Sequence, residues 1–219
     1  MSMLTAAVRT AAHARGARLL HPRGRTFTGA LTTFGTRGHR WGAALLDEPG
    51  VHPAVVRVSK GAPTPAGWPD VLGLAIRLPQ PGGDVDLLLS SCTAVPVLRH
   101  LPWPRRDFGG RYGTLLAYRA GRRRVFLATQ PEPGLGSTLD AVVRAAAGPG
   151  IQLPLVAASR WGSWRSFAVL RFGPALDAGA DAALAFDPIA NAAPDLAPVG
   201  LVQRLRQPVY RASQQGRGR

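Results

Sequence analysis

Histidine and cysteine are the side chains in this sequence best suited to acid-base, metal or nucleophilic chemistry. The histidines are His13, His21, His39, His52 and His100, and the one cysteine is Cys92. No two histidines stand at helical spacing with a carboxylate between them, which argues against a zinc-protease site. There is no Gly-x-Ser-x-Gly motif, and no base neighbours Cys92 in the sequence. A serine or cysteine nucleophile is therefore not indicated, and we expect Cys92 to be buried and apolar in role.

A pair of side chains that could interact lies near the end of the chain, where Arg206 precedes Tyr210 by four residues. This spacing places two side chains on one face of a helix. A guanidinium beside a phenol favours the phenolate over a phenol whose free pKa is about 10. Pro208 between them removes a helix hydrogen bond. Taken alone, Tyr210 is interpreted as an aromatic residue that packs a helix onto the core.

The segment from residue 26 to residue 172 has the pattern of an antiparallel barrel. Short β-branched or aromatic runs alternate there with Gly and Pro clusters at fairly regular spacing. Eight such runs are predicted as strands, and eight strands can close a barrel. They are Thr26–Phe34, Ala54–Ser59, Val71–Leu78, Val85–Leu89, Thr114–Arg119, Arg124–Thr129, Ile151–Ala158 and Arg165–Phe172.

Other segments are predicted to interrupt or flank these strands. Pro96–Phe108 is an irregular excursion, and Ser137–Ala147 is a helix capped by Ser137 and ended by Gly148. A helix is predicted over Leu4–Leu19, and a basic helical segment from Val199 towards Tyr210. We interpret residues 1–219 as one domain.

Composition narrows the class of protein. With 46% hydrophobic and 18% charged residues, the 219-residue chain has ordinary globular values. It has no run of about 18 apolar residues and no secretory leader pattern, and its single cysteine suits a reducing compartment. We therefore expect a cytoplasmic protein with no membrane partner. The net charge of +15 raises nucleic acid as a partner, but only Lys60 among the basic residues is a lysine, which is consistent with codon bias.

Several motifs resemble, in order and spacing, those of the haem catalase superfamily. Arg18–Gly24 resembles the catalase stretch that carries the distal histidine, which here is His21. Val56–Ser59 resembles the Val-Arg-Phe-Ser strand of catalases, and Asp70–Leu78 resembles the run that follows it. Further similar segments are Asp86–Ser90, Phe186–Pro188, and Arg206 with Tyr210 followed seven residues later by Arg217.

The resemblance implies a fold and a cofactor. The fold would be α+β, mainly β: an eight-stranded antiparallel catalase-like barrel over about 26–172, with an N-terminal helix and a C-terminal helical segment over about 186–212. The cofactor would be haem with Tyr210 as its proximal iron ligand. The chain lacks the length for the N-terminal arm, wrapping segment and C-terminal helical domain of a typical catalase, and resembles a minimal catalase-related haem peroxidase.

The resemblance also implies roles for single residues. His21 would take a proton from a bound peroxide and return it to the leaving oxygen, and Ser59 would orient the His21 ring. Arginines would hold the haem because guanidinium pairs with carboxylate in a planar fork. The propionate candidates are Arg18, Arg57 and Arg217, and Arg206 would accompany Tyr210 at the cofactor.

The chain departs from the catalase pattern at Ser90. Catalases have an asparagine there that helps to hold hydrogen peroxide over the iron, and a second where this chain has Ser91. A serine hydroxyl is shorter and donates in a different direction. This departure favours peroxidase-like use of hydrogen peroxide or an organic hydroperoxide over efficient disproportionation. Cys92 and Val95 would line the same side and make it more apolar.

The sequence leaves three functions open. The first is the haem oxidoreductase, whose partners are a peroxide and an electron donor that the sequence does not identify. The second is a haem-binding or carrier protein of the same fold without turnover. The third is a basic nucleic-acid-binding β domain, for which net charge is the single support and no binding motif is found. Assembly into a homo-oligomer is left open.

Overall fold

The structure is a computed structural model of the chain and describes residues 23–62, 64–96, 98–177, 179, 181 and 184–199. The predicted N-terminal helix over Leu4–Leu19 lies outside these residues. So do five of the predicted site residues: Arg18, His21, Arg206, Tyr210 and Arg217.

The described residues form ten strands and two short helices. The helices are α1 (Ala44–Asp47) and α2 (Leu139–Ala147), and neither is long and apolar enough to span a bilayer. The strands are β1 (Arg23–Phe34), β2 (Pro49–Lys60), β3 (Leu72–Leu78), β4 (Val85–Ser91), β5 (Tyr112–Gly113), β6 (Ala117–Ala120), β7 (Arg123–Thr129), β8 (Gln152–Ala158), β9 (Arg165–Ala175) and β10 (Leu196–Val199).

Eight of these strands close into an antiparallel barrel, as predicted. The order around the ring is β7, β5, β4, β3, β2, β1, β9 and β8, and β8 pairs again with β7. Strands β6 and β10 lie outside the ring: β6 pairs with the first half of β7, and β10 pairs with β6.

The core fills the inside of the barrel through the two-residue alternation of the strands. Phe27, Val56, Ile76 and Leu87 stand opposite one another on β1 to β4 and are almost fully buried. Because side chains alternate, the residues between them face outward. The outward faces of β2, β3 and β4 are therefore available to build a site.

The predicted strand Thr114–Arg119 is wrong as a single element. The chain forms β5 at Tyr112–Gly113, leaves the ladder, and pairs again as β6. Thr114 still bonds to Leu127, through its own N–H to the Leu127 carbonyl (2.9 Å) and from the Leu127 N–H to its hydroxyl (3.1 Å). Leu115 and Leu116 after it are exposed, so their apolar character reflects a surface cavity and not a strand interior.

Two helical predictions also need correction. Helix α2 is capped by Thr138 instead of Ser137, since the Thr138 hydroxyl accepts from the N–H of Ala141 at 3.0 Å. Residues 186–199, predicted as the start of a helical segment, form turns and then β10. The rest of that segment lies outside the described residues.

The segment between β4 and β5 is irregular, as expected, and Arg99 connects it to the turn between β8 and β9. The Arg99 guanidinium donates to the carbonyls of Ser159 (2.6 Å) and Gly162 (3.0 Å) in the turn between β8 and β9. It also lies 4.8 Å from the centre of the Trp164 ring. These contacts fix the loop to the turn between β8 and β9.

Candidate functional site

The candidate site lies on the outer face of β2, β3 and β4. Ser59 on β2 stands opposite Gly73 on β3, and Gly73 stands opposite Ser90 on β4. Paired residues point to the same face of a sheet, so the two serines flank a glycine that has no side chain. Two strand spacings of about 4.8 Å put the serine Cα atoms roughly 10 Å apart. The sheet thus offers a flat floor with a hydroxyl on either side.

A cavity of about 440 Å³ covers this floor. Its size falls in the usual range of small-molecule sites, roughly 300–1,000 Å³. The lining is mostly apolar. The residues around it are Arg57, Ser59, Gly73, Leu74, Ala75, Leu88, Leu89, Ser90, Thr114, Leu115, Leu116, Tyr118, Asp181, Leu184, Ala185, Phe186, Pro188 and Pro198.

The cavity forms where β4 has no strand beside it. Strand β5 pairs with β4 only at Ser90 and Ser91 and then ends. Near the start of β4, the backbone bonds to a residue outside the strands: the N–H of Asp86 donates to the Asn191 carbonyl at 2.8 Å. A short β5 therefore opens the wall next to Leu88, which is 38% exposed.

Ser90 and Ser91 face opposite sides of the sheet. Ser90 lines the cavity, and none of the described residues hydrogen-bonds its hydroxyl. The Ser91 hydroxyl accepts from the N–H of Leu72 (3.0 Å) and donates to the Trp103 carbonyl (2.7 Å), so it connects β3 to the loop between β4 and β5. The expectation that Ser91 shares the site with Ser90 is wrong, because consecutive strand residues point to opposite faces.

Arg57 is already paired with a carboxylate. Its Nε donates to Asp181 Oδ1 at 3.0 Å, and the Thr26 hydroxyl donates to the same oxygen at 2.5 Å. Gly24 stands beside the guanidinium: a Cβ there would lie 2.5 Å from Arg57 Cζ. The predicted propionate partner thus lines the cavity, but in the described structure it binds an aspartate of the chain itself.

A buried ion pair between β3 and β4 anchors the segment that lines one side of the cavity. Arg77 on β3 donates to both carboxylate oxygens of Asp86 on β4, at 2.8 and 2.7 Å, and this bonding raises the pKa of Arg77. Asp86 Oδ2 also accepts from the Asp187 N–H (2.7 Å) and from Asn191 Nδ2 (2.8 Å). The Arg77 guanidinium lies 5.1 Å from the centre of the Phe186 ring. This clamp holds the cavity roof, residues 184–188, onto the barrel.

Tyr118 is the tyrosine that lines the cavity. Burial raises its pKa well above the ordinary value, the nearby Asp86 charge adds to the increase, and a backbone hydrogen bond from Leu88 offsets part of it. Tyr112 is buried as well, and its hydroxyl donates to the Phe108 carbonyl at 3.0 Å. Burial raises the pKa of both phenols, so each is harder to deprotonate than an ordinary tyrosine and is a poorer candidate for an iron ligand.

Cys92 lies beside the cavity, outside its lining. A Cβ built on Gly113 would lie 2.9 Å from the Cys92 sulfur, so glycine leaves room for it. Burial raises the pKa of the Cys92 thiol to about 11, although the charges of Arg111 and Arg105 act in the opposite direction. Val95 is 49% exposed and does not line the cavity either. Neither residue makes the site more apolar as expected.

Among the described residues, no group of three His, Cys, Asp or Glu side chains is arranged to hold a metal ion. Of the predicted site residues, the structure brings together Arg57, Ser59 and Ser90. Asp181 was missed by sequence reasoning, because it stands alone in an Ala-rich stretch 124 positions after Arg57. Sequence reasoning also did not identify Gly73 as part of the floor of the site. The one indication of that role is its position between Ser59 and Ser90, whose side chains point outward.

Known protein structures share this fold at low sequence identity. A fungal catalase matches with a TM-score of 0.58 and 14% identity, over 84% of this chain and 56% of that one. Catalase A from Saccharomyces cerevisiae matches with a TM-score of 0.59 and 12% identity, over 83% and 57%. A bacterial catalase matches with a TM-score of 0.59 and 13% identity, over 82% and 53%.

The barrel is catalase-like, as the sequence motifs implied. The chain spans little more than half the length of these catalases. No protein-family model and no curated protein matches its sequence. At identities of 12–14%, the likeness establishes the fold and leaves the activity to be argued from the site.

Proposed function

We propose that this protein is a haem-dependent oxidoreductase that uses hydrogen peroxide or an organic hydroperoxide in a peroxidase-like reaction, with weak catalase activity. The observation that carries the proposal is the cavity on the outer face of β2, β3 and β4. It combines an apolar floor with the hydroxyls of Ser59 and Ser90, and these are two of the residues that the catalase resemblance selected.

The described residues fit a flat apolar macrocycle. Gly73 and Ala75 leave the centre of the floor without bulk, and Leu88, Phe186 and Pro188 supply apolar walls. Burial raises the pKa of Tyr118, which makes it a poorer candidate for an iron ligand than an ordinary tyrosine. The proposal therefore assigns the proximal ligand to Tyr210, with Arg206 stabilising its phenolate, and these two residues lie outside the described part of the chain.

Bound haem would supply the ferric iron at which a peroxide reacts. In the proposal, His21 takes the first proton of the peroxide on its neutral imidazole and returns it to the departing oxygen. Ser59 positions the imidazole. Arg18 and Arg217 bind haem propionates, because a guanidinium stays charged when partly buried. The reducing substrate is an electron donor of unassigned identity.

The free hydroxyl of Ser90 supports a peroxidase over a true catalase. It lines the cavity without a partner among the described residues, so it can bind a peroxide oxygen. It has one donor, whereas an asparagine amide has two and reaches further. Disproportionation needs a second hydrogen peroxide held over the iron, and the shorter hydroxyl holds it less well.

The experiment is steady-state oxidation of an electron donor by an alkyl hydroperoxide, using the haem-loaded full chain. We expect measurable turnover that falls by about 100-fold or more in His21→Ala, the usual effect of losing a positioned acid-base group. His52→Ala, at the opposite end of β2, is the control and should turn over normally. Equal turnover in His21→Ala would contradict the role of His21, and no turnover by the haem-loaded wild type would leave the haem-carrier function ahead.

A further inference from the structure

The charged groups around the cavity cancel each other. Among the described lining residues, Arg57 and Asp181 are the ones that carry charge. They form an ion pair with 3.0 Å between Nε and Oδ1, and their side chains are only 15% and 21% exposed. The cavity therefore offers a bound ligand no net charge from these residues.

Both partners are held in place by β1. Gly24 allows the Arg57 guanidinium to lie against the β1 backbone, since any larger residue would place a Cβ within 2.5 Å of it. Thr26, which is fully buried, donates its hydroxyl to Asp181 at 2.5 Å. Asp181 is thus bound by two donors from two strands, and separating it from Arg57 would break both contacts.

We propose that Asp181 is a specificity-determining residue of this cavity, which weakens the binding of a porphyrin carboxylate at Arg57 and has no such effect on an uncharged group at the same position. This inference rests on the proposed haem function. A ligand carboxylate that approaches Arg57 meets a guanidinium already bound to Asp181. It must displace Asp181, which costs buried hydrogen bonds, or lie beside it, where the two negative charges repel. An ester at the same position carries no charge and meets neither obstacle.

The test compares two iron porphyrins that differ only in that edge: haemin, with two free propionates, and haemin dimethyl ester. Their dissociation constants are measured by absorption titration of the full chain and of Asp181→Asn. Asparagine keeps the size of the side chain and an acceptor oxygen for Thr26, but removes the negative charge. Asp140→Asn on α2 is the matched control, because it makes the same charge change at a side chain that is 73% exposed.

In Asp181→Asn, haemin binding should tighten roughly tenfold because the negative charge that repels a propionate beside Arg57 is removed, while ester binding stays within about twofold. Thr26→Val, which removes one donor from Asp181, should shift haemin binding in the same direction by a smaller factor. Asp140→Asn should bind both porphyrins like the wild type.

Haemin binding that is unchanged or weaker in both Asp181→Asn and Thr26→Val would overturn the inference and leave the proposed function intact. A tenfold gain for both porphyrins alike would also overturn it, because the effect would then not depend on the carboxylates. If the wild type and all variants bind neither porphyrin, the proposed function itself fails, and this inference fails with it.

Discussion

At the scale of single residues, the proposed peroxidase reaction depends most on Ser90. Replacing Ser90 with Asn adds a second donor and a longer reach on the cavity side of β4. We expect Ser90→Asn to raise the ratio of oxygen release from hydrogen peroxide to donor oxidation by an alkyl hydroperoxide. Oxygen-electrode and donor-oxidation rates on the same haem-loaded preparation measure this ratio.

The adjacent Ser91 provides the contrast. Because its hydroxyl bonds Leu72 and Trp103 away from the cavity, Ser91→Ala should lower the free energy of unfolding by about 1–2 kcal/mol and leave the ratio unchanged. Rapid oxygen evolution by the unmodified protein at millimolar hydrogen peroxide would show that serine is sufficient, and would contradict the interpretation of Ser90.

Cys92 gives a prediction about reactivity. The thiolate is the reactive form of cysteine, and burial raises the Cys92 pKa to about 11, so the thiol stays protonated at pH 8. Iodoacetamide at pH 8 should modify the folded protein very slowly and the urea-unfolded protein quickly. Mass spectrometry of timed samples measures both rates. Fast modification of the folded chain would show that Cys92 is accessible and that its pKa is not raised.

At the scale of secondary-structure elements, the Arg77–Asp86 clamp between β3 and β4 holds the cavity roof. Asp86→Ala would leave a buried guanidinium without its carboxylate, and breaking such a pair costs about 3–5 kcal/mol. Urea unfolding should show a loss of this order. Asp84, 3.2 Å from the same guanidinium but 39% exposed, is the matched control, and Asp84→Ala should cost less than about 1 kcal/mol. Equal losses of unfolding free energy in the two variants would contradict a stabilising role for the Arg77–Asp86 pair.

The sequence predicts the barrel strands well because each has an alternating or continuous apolar run closed by Gly or Pro. The strand prediction fails where apolar residues line a surface cavity instead of the barrel interior. Leu115 and Leu116 extend the strand pattern after Gly113 but line the cavity instead. It also fails for the edge strand β10, where Pro198 stands opposite Tyr118 on β6, since proline lowers the predicted strand tendency of such a short segment.

The site is predictable only in part, for a related reason. Arg57, Ser59 and Ser90 belong to strands whose register follows from the core pattern, so their shared outward face follows from alternation. Asp181 lies outside the strands, and no period connects it to Arg57. Its ion pair depends on how Asp181 lies against β1 and β2, which local sequence does not encode.

At the scale of the whole molecule, the net charge of +15 is the one feature that the haem function does not use. We expect any DNA binding to be weak and insensitive to sequence, and to weaken steeply with salt, because each neutralised phosphate releases counterions. Fluorescence-anisotropy titrations of two unrelated duplexes at several salt concentrations measure this. Sub-micromolar binding of one duplex over the other at physiological salt would revive the nucleic-acid function.

The central claim is that this catalase-like chain binds haem through Tyr210, and a titration of the full chain with haemin tests it most directly. The account predicts a 1:1 complex with the ferric spectrum of a tyrosinate-ligated haem. Tyr210→Phe should lose that spectrum, whereas Tyr118→Phe should keep it because burial disfavours the phenolate of Tyr118. A stoichiometric complex with an unchanged spectrum in Tyr210→Phe, or no haem binding by the unmodified chain, would contradict the account.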